Sequence, residues 1–417
     1  MMSNVPKVFI KTFGCRTNLF DSQVMLSHLE DFEVTQNEDE ADIVIVNSCT
    51  VTNGADSGVR GYVNAANKKG TKVYLTGCGA HTKGESLFEG EKVFGVFGQS
   101  EKAKINELLK EKERFYQIGD LEFIDETVVE EFVGKSRAFI KIQEGCNFRC
   151  SYCIIPFVRG DARSHDEEKI LEQITRLAAN GFGEFILTGT NVGSYGQGVK
   201  RTMAGLLKRI SLIKGVRRIR IGSMEPIQVT DEFKELLGEP WLEKHLHIAI
   251  QHSSQEMLRI MNRRNNVDTD IKLLNELYEK GFAVGTDYIV GHPGETEAVW
   301  KDAMSNLSQM PLTHVHAFTY SKRDGTPSAD LKGEINGLVS KARMLELTNL
   351  IDANNLTFRK EHKVPLEVLI ESEKEGIYTG LDQFFNRVEI ECQYDLSGNW
   401  ITLEDYEVRE DINYAKL

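Results

Sequence analysis

The chain has 417 residues, 41% hydrophobic and 27% charged, the proportions of a globular protein with room for two or three domains. No apolar run approaches bilayer-spanning length and residues 1–7 lack the charged-then-apolar pattern of a secretory leader, so neither a membrane protein nor a secreted one is expected. A net charge of −13 argues against a phosphate-binding surface, but residues 361–417 hold 14 acidic and 5 basic side chains, a net −9 that leaves about −4 for the first 360.

Seven cysteines, six of them in two sets of three, fit a reducing compartment better than a disulfide framework, and the expected location is the cytoplasm. Up to about residue 128, short β-branched or aromatic runs (7–13, 42–47, 72–76) alternate with helical stretches (19–30, 54–69). This β-α-β-α order predicts a doubly wound parallel sheet, in which ligands bind along the carboxyl edge of the strands. Each predicted strand runs into a cysteine, as Gly14-Cys15, Ser48-Cys49 and Gly77-Cys78. One such cysteine alone reads as core packing. Three at the same place in successive βα units read as a ligand set, for an iron–sulfur cluster with an open iron or for zinc. The glycines beside Cys15 and Cys78 suit a backbone that comes close to a bulky group.

An acidic, β-branched connection at 120–135 leads to six strand-like runs beginning near Ala138, Glu184, Arg217, His245, Ala283 and Leu312. Helical patterns lie at 166–180, 203–213, 254–262, 270–280 and 297–309. Repeated βα units predict a barrel with its site at the carboxyl ends of the strands, and six of them an incomplete one, open on one side. The first of those ends carries Cys146, Cys150 and Cys153, with three and then two residues between them. Thiolates this close on one loop select iron–sulfur clusters, zinc or copper(I), and three ligands instead of four leave one metal position open. A zinc loop completed by a distant His or Cys is the alternative. The other five strand ends, 188–191, 223–225, 251–254, 291–295 and 320–323, are polar and glycine-rich, and their convergence on the cysteine loop predicts a cofactor pocket.

His245 and His247 alternate on one strand and His314 and His316 on another; satisfied barrel-interior histidines are expected there, not metal ligands. Basic groups at Arg217, Arg218 and Arg220, at Arg259, Arg263 and Arg264, and at Lys322 and Arg323 read as solvated charge or as RNA contacts. A helix at 336–360 and short strands at 366–371, 377–381, 386–391 and 400–403 predict a small terminal β-barrel or sandwich, with Tyr378, Phe384 and Phe385 available as core, the default reading, or as base-stacking groups, and Cys392 structural.

With both cysteine sets in this order, and Tyr152 before the last cysteine of the loop, the chain resembles the radical S-adenosylmethionine (SAM) methylthiotransferases. The resemblance implies an α/β architecture of three domains: a doubly wound parallel-sheet cluster domain (1–128), a partial (β/α)6 radical SAM barrel (133–360) and a small C-terminal β-barrel of the TRAM type (361–417), which binds RNA in relatives. It implies two [4Fe-4S] clusters, with no catalytic residue beyond their ligands. One, on Cys146, Cys150 and Cys153, would bind SAM through its open iron; the other, on Cys15, Cys49 and Cys78, would carry the sulfur. Thr188, Gly189, Asn191, Glu225 and Gln251 become candidates for the SAM amino acid and ribose, and Tyr152, Ile289 and Phe318 for its adenine.

Three stretches, 187–196, 245–251 and 320–327, resemble the branch that acts on threonylcarbamoyl-adenosine beside the tRNA anticodon more than the branches acting on isopentenyl-adenosine or on a ribosomal-protein aspartate. Lys322 and Arg323 would then meet the threonyl carboxylate. The implied partners are the tRNA anticodon stem-loop and a small electron-donor protein of the flavodoxin or ferredoxin type. The acidic tail departs from the family pattern. The remaining readings are a radical SAM enzyme of another reaction type and a zinc-stabilised RNA-binding protein that uses both triplets structurally.

Overall fold

The computed structural model describes residues 5–130, 132, 136–198 and 200–417; part of the predicted connection 120–135, and the predicted boundary at 133, lie outside the described residues. The first elements are β1 (Lys7–Thr12), α1 (Arg16–Ser27), β2 (Glu33–Val34), β3 (Ile43–Ser48), α2 (Asn53–Lys68), β4 (Lys72–Gly77), α3 (Gly84–Glu89), β5 (Gly95–Phe97), α4 (Ile105–Leu108) and β6 (Phe115–Gln117). They form one parallel sheet in the order β2-β1-β3-β4-β5-β6. The central strand β3, Ile-Val-Ile-Val-Asn-Ser, is buried along its whole length, which is why it reads as an unbroken apolar run and not as an alternating one.

The three cysteine-bearing strands β1, β3 and β4 are neighbours in this sheet, so Cys15, Cys49 and Cys78 share its carboxyl edge. The two glycines serve that convergence. At Gly14, φ is +93° and a Cβ would stand 2.6 Å from the Cβ of Cys49; at Gly77, φ is +84° and a Cβ would run into the backbone of Ser48. The close neighbour in both cases is the adjacent strand end. Cys15 sits at the N-cap of α1 without accepting a capping hydrogen bond. A Ser, Thr or Asp there would stabilise the helix by about 1 kcal/mol, so the cysteine is not explained by the helix it precedes.

The barrel elements are β7 (Ala138–Glu144), α5 (Ile155–Arg159), β8 (Arg163–Ser164), α6 (Glu167–Ala179), β9 (Glu184–Gly189), α7 (Met203–Ser211), β10 (Arg218–Ile221), α8 (Asp231–Lys234), β11 (His245–His247), α9 (Gln255–Ile260), α10 (Val267–Glu279), β12 (Ala283–Val290), α11 (Glu297–Leu307) and β13 (His314–Thr319). Parallel pairing runs β7-β9-β10 and β11-β12-β13, and the isolated bridges Ile219–Leu242 and Met224–Ile248 join the two halves. Six parallel strands thus follow one another in chain order around an arc that stays open between β7 and β13.

The N-terminal domain fills that opening. Phe20 and Val24 of α1 enter the barrel core beside Ile140 of β7, and Val129 and Phe132 of the connection join them. On the other side of the seam, Asn53 N at the start of α2 donates to Ser321 Oγ at 2.8 Å, just past β13.

The long helix α12 (Gly337–Glu361) leads to β14 (Leu366–Lys374), β15 (Ile377–Leu381), β16 (Arg387–Glu391), β17 (Trp400–Leu403), β18 (Glu407–Val408) and β19 (Asn413–Lys416), ordered β17-β14-β15-β16-β19-β18. This sheet curls over its own core of Val368, Ile370, Phe384, Val388 and Ile390. Among the described residues its edge strands β17 and β18 do not pair, so the expected small barrel is a half-barrel. It is fixed to the central barrel through arginines read in the sequence as surface charge: Arg218 Nη1 donates to Glu367 O at 2.8 Å and Arg220 Nη2 to Asp382 O at 2.6 Å. Among the described residues no helix is long and apolar enough to cross a membrane.

Candidate active site

All six triplet cysteines line one cavity of about 390 Å³ where the N-terminal sheet edge faces the barrel mouth. The cysteine loop reaches it from the end of β7, whose register with β9 shifts between Lys141 and Gln143. Seven of the eight SAM-contact candidates lie on the same wall: Tyr152, Gly189, Asn191, Glu225, Gln251, Ile289 and Phe318. Thr188 lines a second, larger cavity of about 1020 Å³, and Cys15, Cys49, Gly189, Ser223, Asp287 and Phe318 belong to both, so the two are continuous.

Several sulfurs have donors waiting for negative charge. Asn191 Nδ2 is 3.6 Å from Cys146 Sγ, Arg263 Nη1 is 3.6 Å from Cys150 Sγ, and Arg159 Nε is 3.1 Å from Cys78 Sγ. Burial pushes the thiols of Cys78 and Cys146 up, and those of Cys49 and Cys153 up to about 11 and about 12. As free thiols they stay protonated at neutral pH; bound metal displaces those protons. Gln251 holds φ at +64°, a conformation that costs a non-glycine residue energy, and is pinned there by Gln251 N to Asp287 O (3.0 Å) and Ile289 N to Gln251 O (2.9 Å).

Beneath Cys78 lies a buried charge network that joins the two domains. Lys141 Nζ reaches Asp21 Oδ1 at 2.7 Å and Glu144 Oε2 at 3.1 Å, Arg159 Nη1 reaches Asp21 Oδ2 at 2.9 Å and also Glu144, and Lys102 pairs with Asp21. Burial alone would raise both acids. Lys102, Lys141 and Arg159 instead hold Asp21 well below the usual carboxylate range, and Lys141 and Arg159 hold Glu144 down to about 2.

Residues 140–307 match the Radical SAM superfamily and residues 7–98 the Uncharacterized protein family UPF0004. A Helicobacter pylori (strain J99) protein named "Putative methylthiotransferase" is 52% identical over 98% of this chain and 99% of its own. The chain belongs to the radical SAM methylthiotransferase family. The Bacillus subtilis (strain 168) "Threonylcarbamoyladenosine tRNA methylthiotransferase MtaB" is 31% identical over 95% of this chain and 93% of its own. The "tRNA-2-methylthio-N(6)-dimethylallyladenosine synthase" of Psychrobacter cryohalolentis is 31% identical over 86% and 77%. In fold, the chain is similar to TsrM from Kitasatospora setae, a radical S-adenosylmethionine methyltransferase, with a TM-score of 0.60 at 15% identity over 78% of this chain and 77% of that one. Membership of the radical SAM family implies one [4Fe-4S] cluster and SAM.

Within this methylthiotransferase, three sets of residues stand in surroundings that the sequence did not lead one to expect. Lys322 and Arg323 line a separate cavity of about 460 Å³. Arg323 is buried, with Nη1 on Asp56 Oδ2 (2.7 Å) and Thr50 O (3.0 Å) and Nη2 on Asn53 and Ser321, so its fork is spent on holding α2 to the barrel and not on a substrate carboxylate. Arg263, expected at the surface, clamps both oxygens of Glu225 from inside the cysteine cavity. Of the histidines, His245 and His314 are indeed interior, but His247 and His316 flank Asp287 at 3.2 and 3.5 Å on the wall of the larger cavity. Their donor atoms lie within 4.8 Å of one another, and imidazole–carboxylate hydrogen bonds account for that closeness without an ion. Asp287 and Arg159 gave no signal in the sequence, because neither stands in a cysteine or glycine-rich motif.

Proposed function

We propose that this enzyme adds a methylthio group to C2 of threonylcarbamoyl-adenosine beside the tRNA anticodon, using two SAM molecules and a second [4Fe-4S] cluster on Cys15, Cys49 and Cys78. The observation that carries this reading is the sharing of one cavity wall by both cysteine triplets, with a cavity large enough for a nucleoside opening from it. The similarity to relatives named for threonylcarbamoyladenosine and for a tRNA supports the substrate class.

The donor sets fit clusters better than single zinc ions. Zinc at about 2.3 Å from each sulfur holds its thiolates within about 4 Å of one another. Among the described residues, the one group of three His, Cys, Asp or Glu donors mutually within 4.8 Å is His247, Asp287 and His316, so neither triplet is as tight as one ion requires. Asn191 adds to the fit: its amide donates toward Cys146 while its buried Oδ1 has no partner, the complement of a SAM ammonium.

When bound, the cluster on Cys146, Cys150 and Cys153 supplies the electron that cleaves SAM, and that on Cys15, Cys49 and Cys78 holds the sulfur to be delivered. The chain's own residues do the placing. Asn191, Glu225 and Gln251 orient the polar end of SAM, Tyr152, Ile289 and Phe318 enclose its adenine, and the N-terminal sheet edge covers the barrel mouth and excludes water.

Comparing modified nucleosides in total tRNA, by mass spectrometry, from cells with and without the gene tests the substrate. Methylthio-threonylcarbamoyl-adenosine should disappear with the gene; loss of the dimethylallyl counterpart instead would overturn the assignment. Replacing Cys146, Cys150 and Cys153 by Ala should remove about half the iron and abolish SAM cleavage, whereas replacing Cys15, Cys49 and Cys78 should remove the other half and abolish only transfer. Loss of all iron from both variants would mean a single shared cluster.

A further inference from the structure

The larger cavity has a cationic corner and an acidic rim. The other arginines on its wall are spoken for. Arg220 Nε pairs with Glu184 at 2.9 Å and Arg220 Nη1 with Glu243 at 2.8 Å; Glu184 also takes Arg137 Nη1 at 3.2 Å and Arg218 Nε at 2.5 Å, neither of which lines the cavity. Arg387, on the same wall, pairs with Glu389 at 2.8 Å.

Arg16 is different. Its half-buried guanidinium stands in this cavity, 5.6 Å from the ring centre of Phe385, and among the described residues no carboxylate or hydrogen-bond acceptor is paired with it. Burial works against its charge, and the neighbouring Arg220 and Arg137 add to the strain that Glu243 and Glu184 only partly relieve. An anion here gains a desolvated, unshared partner. Next to it, His245 stacks on the same Phe385 ring at 4.9 Å and keeps a buried Nε2 without a hydrogen-bond partner. On the rim, Asp352, Glu410 and Asp411 are exposed and repel a second negative charge, so an anion in this cavity has one favourable position.

We propose that Arg16 is a specificity-determining residue that pairs with the carboxylate of the threonylcarbamoyl substituent, with Phe385 as the shelf beneath the pair. This rests on the substrate assignment made above. Because Arg16 follows Cys15, which lines both cavities, a carboxylate held by Arg16 keeps the attached adenine beside the sulfur-carrying triplet. The other anion that RNA offers is a backbone phosphate, and the experiment separates the two.

The full-length, cluster-loaded protein and its Arg16→Gln and Arg16→Lys variants are titrated with one anticodon stem-loop in four versions. These carry threonylcarbamoyl-adenosine, its neutral carboxamide analogue, isopentenyl-adenosine or plain adenosine. The unaltered protein should bind the carboxylate form about ten- to a hundredfold more tightly than the carboxamide form. Arg16→Gln should bring the two forms level, and Arg16→Lys should keep part of the difference. A ratio taken on one preparation is unaffected by partial unfolding or cluster loss, which weaken all the RNAs alike. An Arg16→Gln protein that keeps the full ratio overturns the inference and leaves the substrate assignment standing. Equal weakening of all four RNAs leaves the ratio intact and also overturns it; circular dichroism and iron content of the variant then separate a phosphate contact from unfolding or cluster loss. An unaltered protein that shows no ratio, or prefers the isopentenyl form, overturns the substrate assignment and this inference with it.

Discussion

Arg159 touches Cys78, Asp21, Glu144 and Asn18 at once, from the last turn of the short helix that follows the radical SAM cysteine loop. Lys102, Lys141 and Arg159, with Arg163 at 4.0 Å from Glu144, outnumber Asp21 and Glu144, and of these cations Arg159 lies beside the Cys78 sulfur. A thiolate at that sulfur, as in the cluster proposed above, offsets part of the excess. The two acids of the network also set an acid limit on stability. Glu144 falls from 4.5 to about 2 in the folded chain, so the stability it contributes is fully present above pH 4.5 and is lost as pH falls through about 2. For this fully buried group the effect is on the order of 3 kcal/mol. Thermal unfolding of the iron-free Glu144→Gln variant, followed from pH 5 down to about 2, should show a lower melting temperature at the upper end and a flatter decline below it. A decline as steep as that of the unaltered protein would show that Glu144 does not titrate in this window.

At the scale of elements, α2 is held to the barrel by Arg323, which reaches Asp56 and the carbonyl of Thr50 across the open seam between β7 and β13. Arg323→Ala leaves the buried Asp56 carboxylate without a countercharge, with the Thr50 hydroxyl still donating to it at 2.8 Å, a loss of about 3–5 kcal/mol. Thermal unfolding and limited proteolysis should show the N-terminal domain opening first, with no change in the ratio between carboxylate and carboxamide RNA. A changed ratio would return Arg323 to the substrate. The strands that carry the cysteines, and the six βα units, were legible because apolar runs and their spacing are local properties. The arginines were not. Arg220, Arg263 and Arg323 have their carboxylate partners 36, 38 and 267 residues away, and nothing in the local sequence separates a buried, paired arginine from a solvated one. Strands β2, β5, β6 and β18, of two or three residues each, are too short for a period-2 pattern to register; β2, β5 and β18 pair with longer neighbours, and β6 extends the sheet from β5.

Over the whole molecule, the larger cavity is assembled from all three parts of the chain: Arg16 from the N-terminal domain, His245 from the barrel and Phe385 from the C-terminal sheet meet around one aromatic ring. Phe384 and Phe385 are adjacent and do different work. Phe384 is 6% exposed and packs in the half-barrel core, as the sequence suggested for both. Phe385 turns the other way, with φ at +68°, a conformation that costs a non-glycine residue about 1–2 kcal/mol. The half-barrel core does not require that strain, because Phe385 lies outside it; the contact with His245 and Arg16 does. Phe385→Gly removes the ring and relieves the backbone together, so the two effects oppose each other and net stability should change by less than about 1 kcal/mol. Phe384→Ala opens a cavity in the core and should cost about 3–5 kcal/mol. Transfer of the methylthio group should follow the opposite order, falling about tenfold in Phe385→Gly, whose cavity wall is gone, and far less in Phe384→Ala at a temperature where that variant remains folded. Melting temperatures measured beside the yield of methylthiolated nucleoside decide this. A Phe385→Gly protein with full transfer would show that the C-terminal sheet closes the cavity without taking part in placing the nucleoside.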